Sequence, residues 1–213
     1  MSNGTNDALD ARQAPPTAYV VDDDESIRTL WRWLLESNAI AVQTFATAAE
    51  FIEAYRHGGP GCLVLDLRLP GMSGLELQEY LRQRDVAIPI IFVTGHGDVP
   101  SAVHAIKGGA VDFIQKPFGY KEVVQIIRRA LERDAQMRER RARRSEYEER
   151  IAALTDRERE VMLRVIEGKL NKVIADELEI SVKTVEFHRA KVMEKMGVGS
   201  VAALVQLRMQ YPE

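Results

Sequence analysis

Only one cysteine, Cys62, occurs in the 213 residues, so no intramolecular disulfide can form and no multi-cysteine zinc site can be assembled. Long apolar runs are missing too. None approaches the roughly 18–20 residues that a membrane-spanning helix needs, and the chain reads as a soluble protein. Residues Met1 to Pro16 have neither a basic start nor an apolar stretch, so no secretory signal is expected there. Their Asn, Gly, Asp, Gln and Pro content predicts a disordered N-terminus over 1–16, and the cytoplasm is the expected location. Nor is there an excess of positive charge. A net charge of −3 argues against indiscriminate coating of nucleic acid. It leaves specific DNA contact open, because local charge decides contact with phosphates. Basic residues gather in one stretch, Arg128 to Arg144. No predicted strand is followed by a G-x-G-x-x-G or P-loop motif, which argues against a nucleotide-binding domain.

What is present is an alternation. Ala18–Val21, Ile40–Gln43, Gly61–Leu65, Ile88–Val93 and Ala110–Ile114 are short, apolar and rich in β-formers. Between them, Ile27, Trp31, Leu34 and Leu35 recur at helical spacing, as do Leu75, Leu77, Tyr80 and Leu81, and helices are predicted over 48–55, 101–107 and from Tyr120 onward. Five strands alternating with five helices predict an α/β fold with a parallel sheet covered on both faces. From Lys121 to about Arg150 there is neither Gly nor Pro, so one long helix is expected to continue out of the fifth.

The ends of the predicted strands carry the chemistry. Asp22 and Asp23 follow strand one and Asp66 follows strand three. These strands are neighbours in a doubly wound sheet, so three carboxylates converge on one rim. Such crowding is costly unless a cation neutralises it, and hard oxygen ligands at a strand rim suit Mg²⁺, which retains waters and takes one or two carboxylates. Lys116 offers a further positive charge and Thr94 a hydroxyl. Cys62 reads as a buried small residue, and His57, His96 and His104 show no ligand spacing.

The spaced set Val21-Asp22-Asp23, Leu65-Asp66 through Gly71, Val93-Thr94-Gly95 and Lys116-Pro117-Phe118 resembles the receiver domain of two-component response regulators, over about residues 17–130. Gly95-His96-Gly97-Asp98-Val99-Pro100 is similar to the FixJ-type subgroup. That resemblance implies a flavodoxin-like sheet of order 2-1-3-4-5. It implies that Asp66 accepts a phosphoryl group from a sensor histidine kinase. Asp23, Asp66 and the backbone carbonyl of Arg68 would bind Mg²⁺, with Asp22 holding a water of its shell. Thr94 and Lys116 would contact the phosphoryl oxygens, and Phe113 would be the aromatic switch partner of Thr94. It further implies a cis Lys116–Pro117 bond, and kinase docking near Leu30 and Trp33 on the first helix.

Beyond Leu154 the signature is all-helical. Thr155-Asp156-Arg157-Glu158 is a capping box, and Gly168 ends that helix. Asn171–Leu178 is a second helix, Ser181 caps a third that stops at Gly197, and Ser200 opens a fourth. A helix-turn-helix over 171–196 provides a scaffold and a recognition helix. Val185, Val192 and Met196 share the core face. Residues 151–210 resemble the LuxR/NarL-type output domain. The candidate DNA-contacting residues are Lys172, Lys183, Thr184, Glu186, Phe187, His188, Arg189, Ala190 and Lys191. Glu186 can accept from a cytosine amino group and Phe187 and Ala190 can meet a thymine methyl, whereas Lys172, Lys183, Arg189 and Lys191 suit phosphates. His188 leans toward the core.

The expected organisation is therefore an N-terminal segment 1–16, a receiver 17–127, a helical linker 128–150 and a four-helix DNA-binding domain 151–213. The expected partners are a sensor histidine kinase, double-stranded promoter DNA, RNA polymerase and, on phosphorylation, a second copy paired through the face from Ser101 to Phe118; no membrane is involved. A ligand-sensing LuxR-type regulator without phosphorylation is one rival, and it leaves the acidic set unexplained; a phosphohydrolase using Asp66 is another. It would want a carboxylate where Arg68 stands, and the second domain offers no substrate cap.

Overall fold

A computed structural model describes residues 15–55, 59–95 and 99–211. The expectations placed on residues 1–14, on His57 and His96, and on the middle of the Gly95–Pro100 segment lie outside these. The chain divides into two compact units, Met1–Arg138 and Glu139–Glu213.

In the first unit, β1 (Thr17–Val21), β2 (Ala41–Phe45), β3 (Gly61–Leu65), β4 (Ile90–Thr94) and β5 (Asp112–Gln115) form one parallel sheet of order β2-β1-β3-β4-β5. Helices α1 (Glu25–Glu36), α2 (Ala48–Ala54), α3 (Gly74–Gln83) and α4 (Val99–Lys107) connect the strands, and α5 (Tyr120–Ala152) follows β5. Alternate residues of the central strands feed opposite faces. Ala18, Val20, Cys62, Val64, Ile91 and Val93 pack with Trp31 and Leu35 of α1 and Ile127 of α5. Tyr19, Val21, Leu63, Leu65 and Phe92 pack with Phe51, Leu77 and Ala105 from α2, α3 and α4. Burial on both faces is why these strands read as continuous apolar runs.

Three strands begin later than the apolar runs do, each for a hydrogen-bonding reason. Ile40 is buried, but its amide returns to Leu35 O at 2.9 Å as α1 ends, so β2 starts at Ala41. Pro89 has no amide to donate, although its carbonyl accepts from Leu63 at 2.8 Å, and β4 starts at Ile90. Ala110 donates to Ala105 O at 3.0 Å, closing α4, and β5 starts at Asp112. The Lys116–Pro117 bond is cis.

The second unit holds α6 (Asp156–Ile166), α7 (Asn171–Leu178), α8 (Val182–Met196) and α9 (Val201–Gln210), with the last turns of α5. Val161, Ile174, Val185, Val192, Met196 and Leu204 form its core, joined by Tyr147 and Leu154. Every predicted cap is in place. Thr155 and Glu158 exchange both bonds of the capping box, Ser181 accepts from the Thr184 amide, Ser200 accepts from the Ala203 amide, and Gly168 and Gly197 take the left-handed conformation. Among the described residues no helix is long and apolar enough to cross a membrane.

Burial pushes the Cys62 thiol up to about 12, so the neutral form persists in the fold. A thiol reagent at about pH 8 is therefore expected to modify Cys62 only at the rate of unfolding; rapid labelling of the native protein would contradict that.

Candidate functional site

A parallel sheet delivers the ends of its strands to one edge, and the register does the rest. Val21 lies opposite Leu65, and the Asp66 amide donates to Val21 O at 3.0 Å, so the residues after β1 and β3 emerge side by side. Lys116, just past β5, reaches across the edge. Its Nζ donates to Asp22 Oδ2 at 2.7 Å and to Asp66 Oδ2 at 2.9 Å. Lys116 N also donates to Thr94 O at 2.8 Å, which places the buried Thr94 beside the same edge.

One ammonium thus serves two carboxylates that are nearly out of solvent, with side-chain exposures of 4 % for Asp22 and 12 % for Asp66. Burial pushes the Asp22 carboxyl above the usual range, against the pull of Lys116. Burial also works against the charge on Lys116, but its bonds to both carboxylates outweigh that and raise its pKa. A net negative charge remains, as the crowding of the acidic residues implies. Asp23 is exposed next to Asp22. Among the described residues no three carboxylate, imidazole or thiol groups form a metal cage by themselves. The donors that do converge are hard oxygens already gathered on a cation, which fits an ion that keeps most of its water, as Mg²⁺ does.

Three features of this edge escaped sequence reasoning. Asp24, part of the same acidic run, is the N-cap of α1 and accepts from the Ser26 and Ile27 amides, which holds its carboxyl below the usual range. Arg28 donates to the carbonyls of Asp22 and Asp23, both at 2.8 Å, and fixes the loop that carries them. Gly74 lets α3 start against Asp66: a Cβ there would lie 2.2 Å from the Asp66 carbonyl oxygen. The Arg68 amide donates to Asp66 Oδ1 at 3.1 Å while its side chain faces solvent, and Phe113 is half-buried with its ring 6.3 Å from that of Phe92. On α1, Trp33 is exposed and Leu30 half-buried.

In the second unit α7 and α8 form the helix-turn-helix, turning through Glu179 in the left-handed conformation at φ 54°. Val185, Val192 and Met196 face the core. Lys183, Glu186, Phe187 and Ala190 are exposed on α8, and Lys172 is exposed on α7. Phe187 is 59 % exposed, a large apolar surface for a helix facing only water. Other candidates are engaged within the unit. The Thr184 and Ser181 hydroxyls share a hydrogen bond, Arg189 donates to Asn171 Oδ1 at 2.6 Å, and Lys191 pairs with Glu194. His188 is half-buried, and its Nδ1 has no partner among the described residues.

Residues 18–128 match the model of the response regulator receiver domain, and residues 152–208 that of the luxR family of bacterial regulatory proteins. The chain is 44 % identical to the transcriptional regulatory protein FixJ of Azorhizobium caulinodans, over 90 % of each chain. It is 43 % identical to the response regulator protein TodT of Pseudomonas putida, over 89 % of this chain and 83 % of that one. This chain is a FixJ/NarL-type response regulator. Among solved structures, this regulator is similar to the response regulator StyR, with a TM-score of 0.88, 45 % identity, and coverage of 93 % of this chain and 100 % of that one. Full-length FixJ from B. japonicum gives a TM-score of 0.58 at 39 % identity, covering 93 % and 98 %. The regulator accordingly combines a receiver domain, which implies a sensor kinase partner, with a LuxR-type DNA-binding domain.

Replacing Lys116 by Met leaves two buried carboxylates of this regulator without their cation. It should lower receiver stability by about 3–5 kcal/mol, measured by urea unfolding followed through Trp31 and Trp33. A loss below about 0.5 kcal/mol, the size of a neutral surface change, would mean that Lys116 does not hold the rim together.

Proposed function

We propose that Asp66 accepts a phosphoryl group from a sensor histidine kinase and that its phosphorylation controls promoter binding by the second domain. The observation that carries this is the shared ammonium: Lys116 holds Asp22 and Asp66 together at the edge of β1 and β3. Asp66 has one carboxylate oxygen on Lys116 and the other on the Arg68 amide, so its side chain is oriented before any reaction. Asp22, Asp23 and Asp66, with the carbonyl of Arg68, are the residues that would hold Mg²⁺. When bound, the ion would supply charge neutralisation for the transferring phosphoryl group. As the phosphoryl group arrives, Lys116 Nζ turns from the Asp66 carboxylate to a phosphoryl oxygen, and the Thr94 hydroxyl donates to another. Phe113 follows Thr94 inward. Self-phosphorylation and its reversal are the only chemistry assigned to the protein, which acts in the cytoplasm as a regulator.

The face from Ser101 to Phe118 is the surface that this change reshapes. Around it, α4 exposes Val99, Val103 and Ile106 to 78 %, 46 % and 48 %, an apolar strip suited to pairing two receivers. Receiver 17–127, linker 128–150 and DNA-binding domain 151–213 are the functional divisions of this scheme. On α8, Glu186, Phe187 and Ala190 read base edges, while Lys172 of α7 and Lys183 of α8 anchor phosphates. Thr184, His188, Arg189 and Lys191 border the same contact. With few cations on that face, two copies on paired half-sites bind far better than one.

Selection of DNA from a random pool, with and without a phosphoryl donor, tests the switch. Wild type is expected to enrich a paired site more strongly with the donor, and Asp66→Asn to lose that enhancement; equal enhancement in both would sink the proposal. On the selected site, Glu186→Gln should relax one base preference by about 1–3 kcal/mol. Lys183→Ala should weaken all sequences alike and lower the salt slope by about one. Sedimentation with beryllofluoride and Mg²⁺ is expected to show a dimer, and an unchanged mass would refute receiver pairing.

A further inference from the structure

The inner stripe of α5 does not end where the apolar residues do. Val123, Ile127 and Ala130 are buried against the sheet, and the next position on the same face, four residues on, is Asp134, only 1 % exposed. A carboxylate has replaced what the helical period reserves for an apolar side chain.

Asp134 is held at the opposite end of β3 from Asp66. Its Oδ2 accepts from the Gly61 amide at 2.8 Å and from Arg138 Nε at 2.6 Å. Arg138, one turn further along α5, extends Nη2 to Gly59 O at 2.7 Å and to the Tyr55 hydroxyl at 3.2 Å, and that hydroxyl itself donates to Gly59 O at 2.9 Å. Gly61 admits no other residue, since a Cβ would lie 2.1 Å from Thr17 O. The second carboxylate oxygen, Oδ1, is buried without a partner among the described residues, so Asp134 leans on Arg138 and one amide.

Buried ion pairs are poor sources of stability, because desolvation cancels most of their attraction; what they supply is register. If α5 slid or lifted by a turn, the pair would move with it, but Asp134 would lose the Gly61 amide and Arg138 would lose the Gly59 carbonyl and the Tyr55 hydroxyl. Past Arg138 the support stops. Every residue from Glu139 to Glu146 is exposed, with Arg143 and Glu139 pairing along the helix, until Tyr147 is buried in the second unit. The match to the receiver domain ends at residue 128, six positions before Asp134 and ten before Arg138.

We propose that Asp134 and Arg138 form a latch that fixes the linker helix to the start of β3. The latch extends the receiver to Arg138, and the turns Glu139–Glu146 beyond it are exposed. It goes beyond the phosphorylation scheme and does not depend on it.

Hydrogen exchange on the full chain, read by mass spectrometry, tests the latch without any substitution. Amides of 131–138 are expected to exchange at least about tenfold more slowly than those of 139–146, as supported and unsupported helix do. Uniform exchange from 131 to 146 would overturn the proposal. Asp134→Asn and Arg138→Met should each bring 131–138 to the rate of the exposed turns and admit trypsin at Arg133. Because the two act as one unit, the double variant should go no further than either single one. Unchanged exchange in the single variants, or fully additive effects in the double one, would refute a latch made by this pair.

Discussion

Two carboxylates that follow neighbouring parallel strands emerge at the same edge, and in this chain a single ammonium stands between them. Much of the first unit serves that contact. The register of β1 with β3 brings Asp22 beside Asp66, the absence of a side chain at Gly74 lets α3 start close to Asp66, and Arg28 ties down the carbonyls of the loop that bears Asp22 and Asp23. Lys116 cannot neutralise both acids, so the edge retains a deficit of positive charge. That deficit suits a hard cation, which in the proposed scheme would neutralise the arriving phosphoryl group, and the same charge makes the edge costly to keep.

The two units use charge in opposite ways. The receiver concentrates negative charge where solvent is scarce. The LuxR-type domain spreads a few positive charges over an exposed helix face and commits others internally, Arg189 to Asn171 and Lys191 to Glu194. A face so sparing in free cations gives a single copy little hold on phosphates, which is why the proposed scheme has two copies bind together. The basic stretch Arg128–Arg144 divides along the same lines. Arg138 is drawn into the buried cluster with Asp134, while Arg143 and Arg144 pair with glutamates of their own helix in solvent.

Local features were readable from the sequence. The alternation of apolar runs and helical spacing was enough for the parallel sheet, because buried strands carry their signal residue by residue. The caps Thr155, Ser181, Ser200 and Gly197 were legible because a cap acts within four residues. The acid set could be recognised because each member closes a strand. Contacts made across the fold were not legible. Asp24 stands in the same acidic run as Asp22 and Asp23, and only its two amide donors identify it as a helix cap, while Arg28 and Gly74 carry no motif. Strand starts moved by one or two residues where an amide was already spent, at Ile40 and Ala110, or absent, at Pro89. Asp134 lay in a stretch read only as a helical linker, and only Gly61, 73 residues away in the chain, shows why it is buried.

Purified protein incubated with acetyl phosphate and Mg²⁺, then digested and analysed by mass spectrometry, should carry one phosphoryl group, on the peptide containing Asp66. The label should require the metal and should be absent from Asp66→Asn. An unlabelled residue 66, or a label that survives that substitution, would contradict the account.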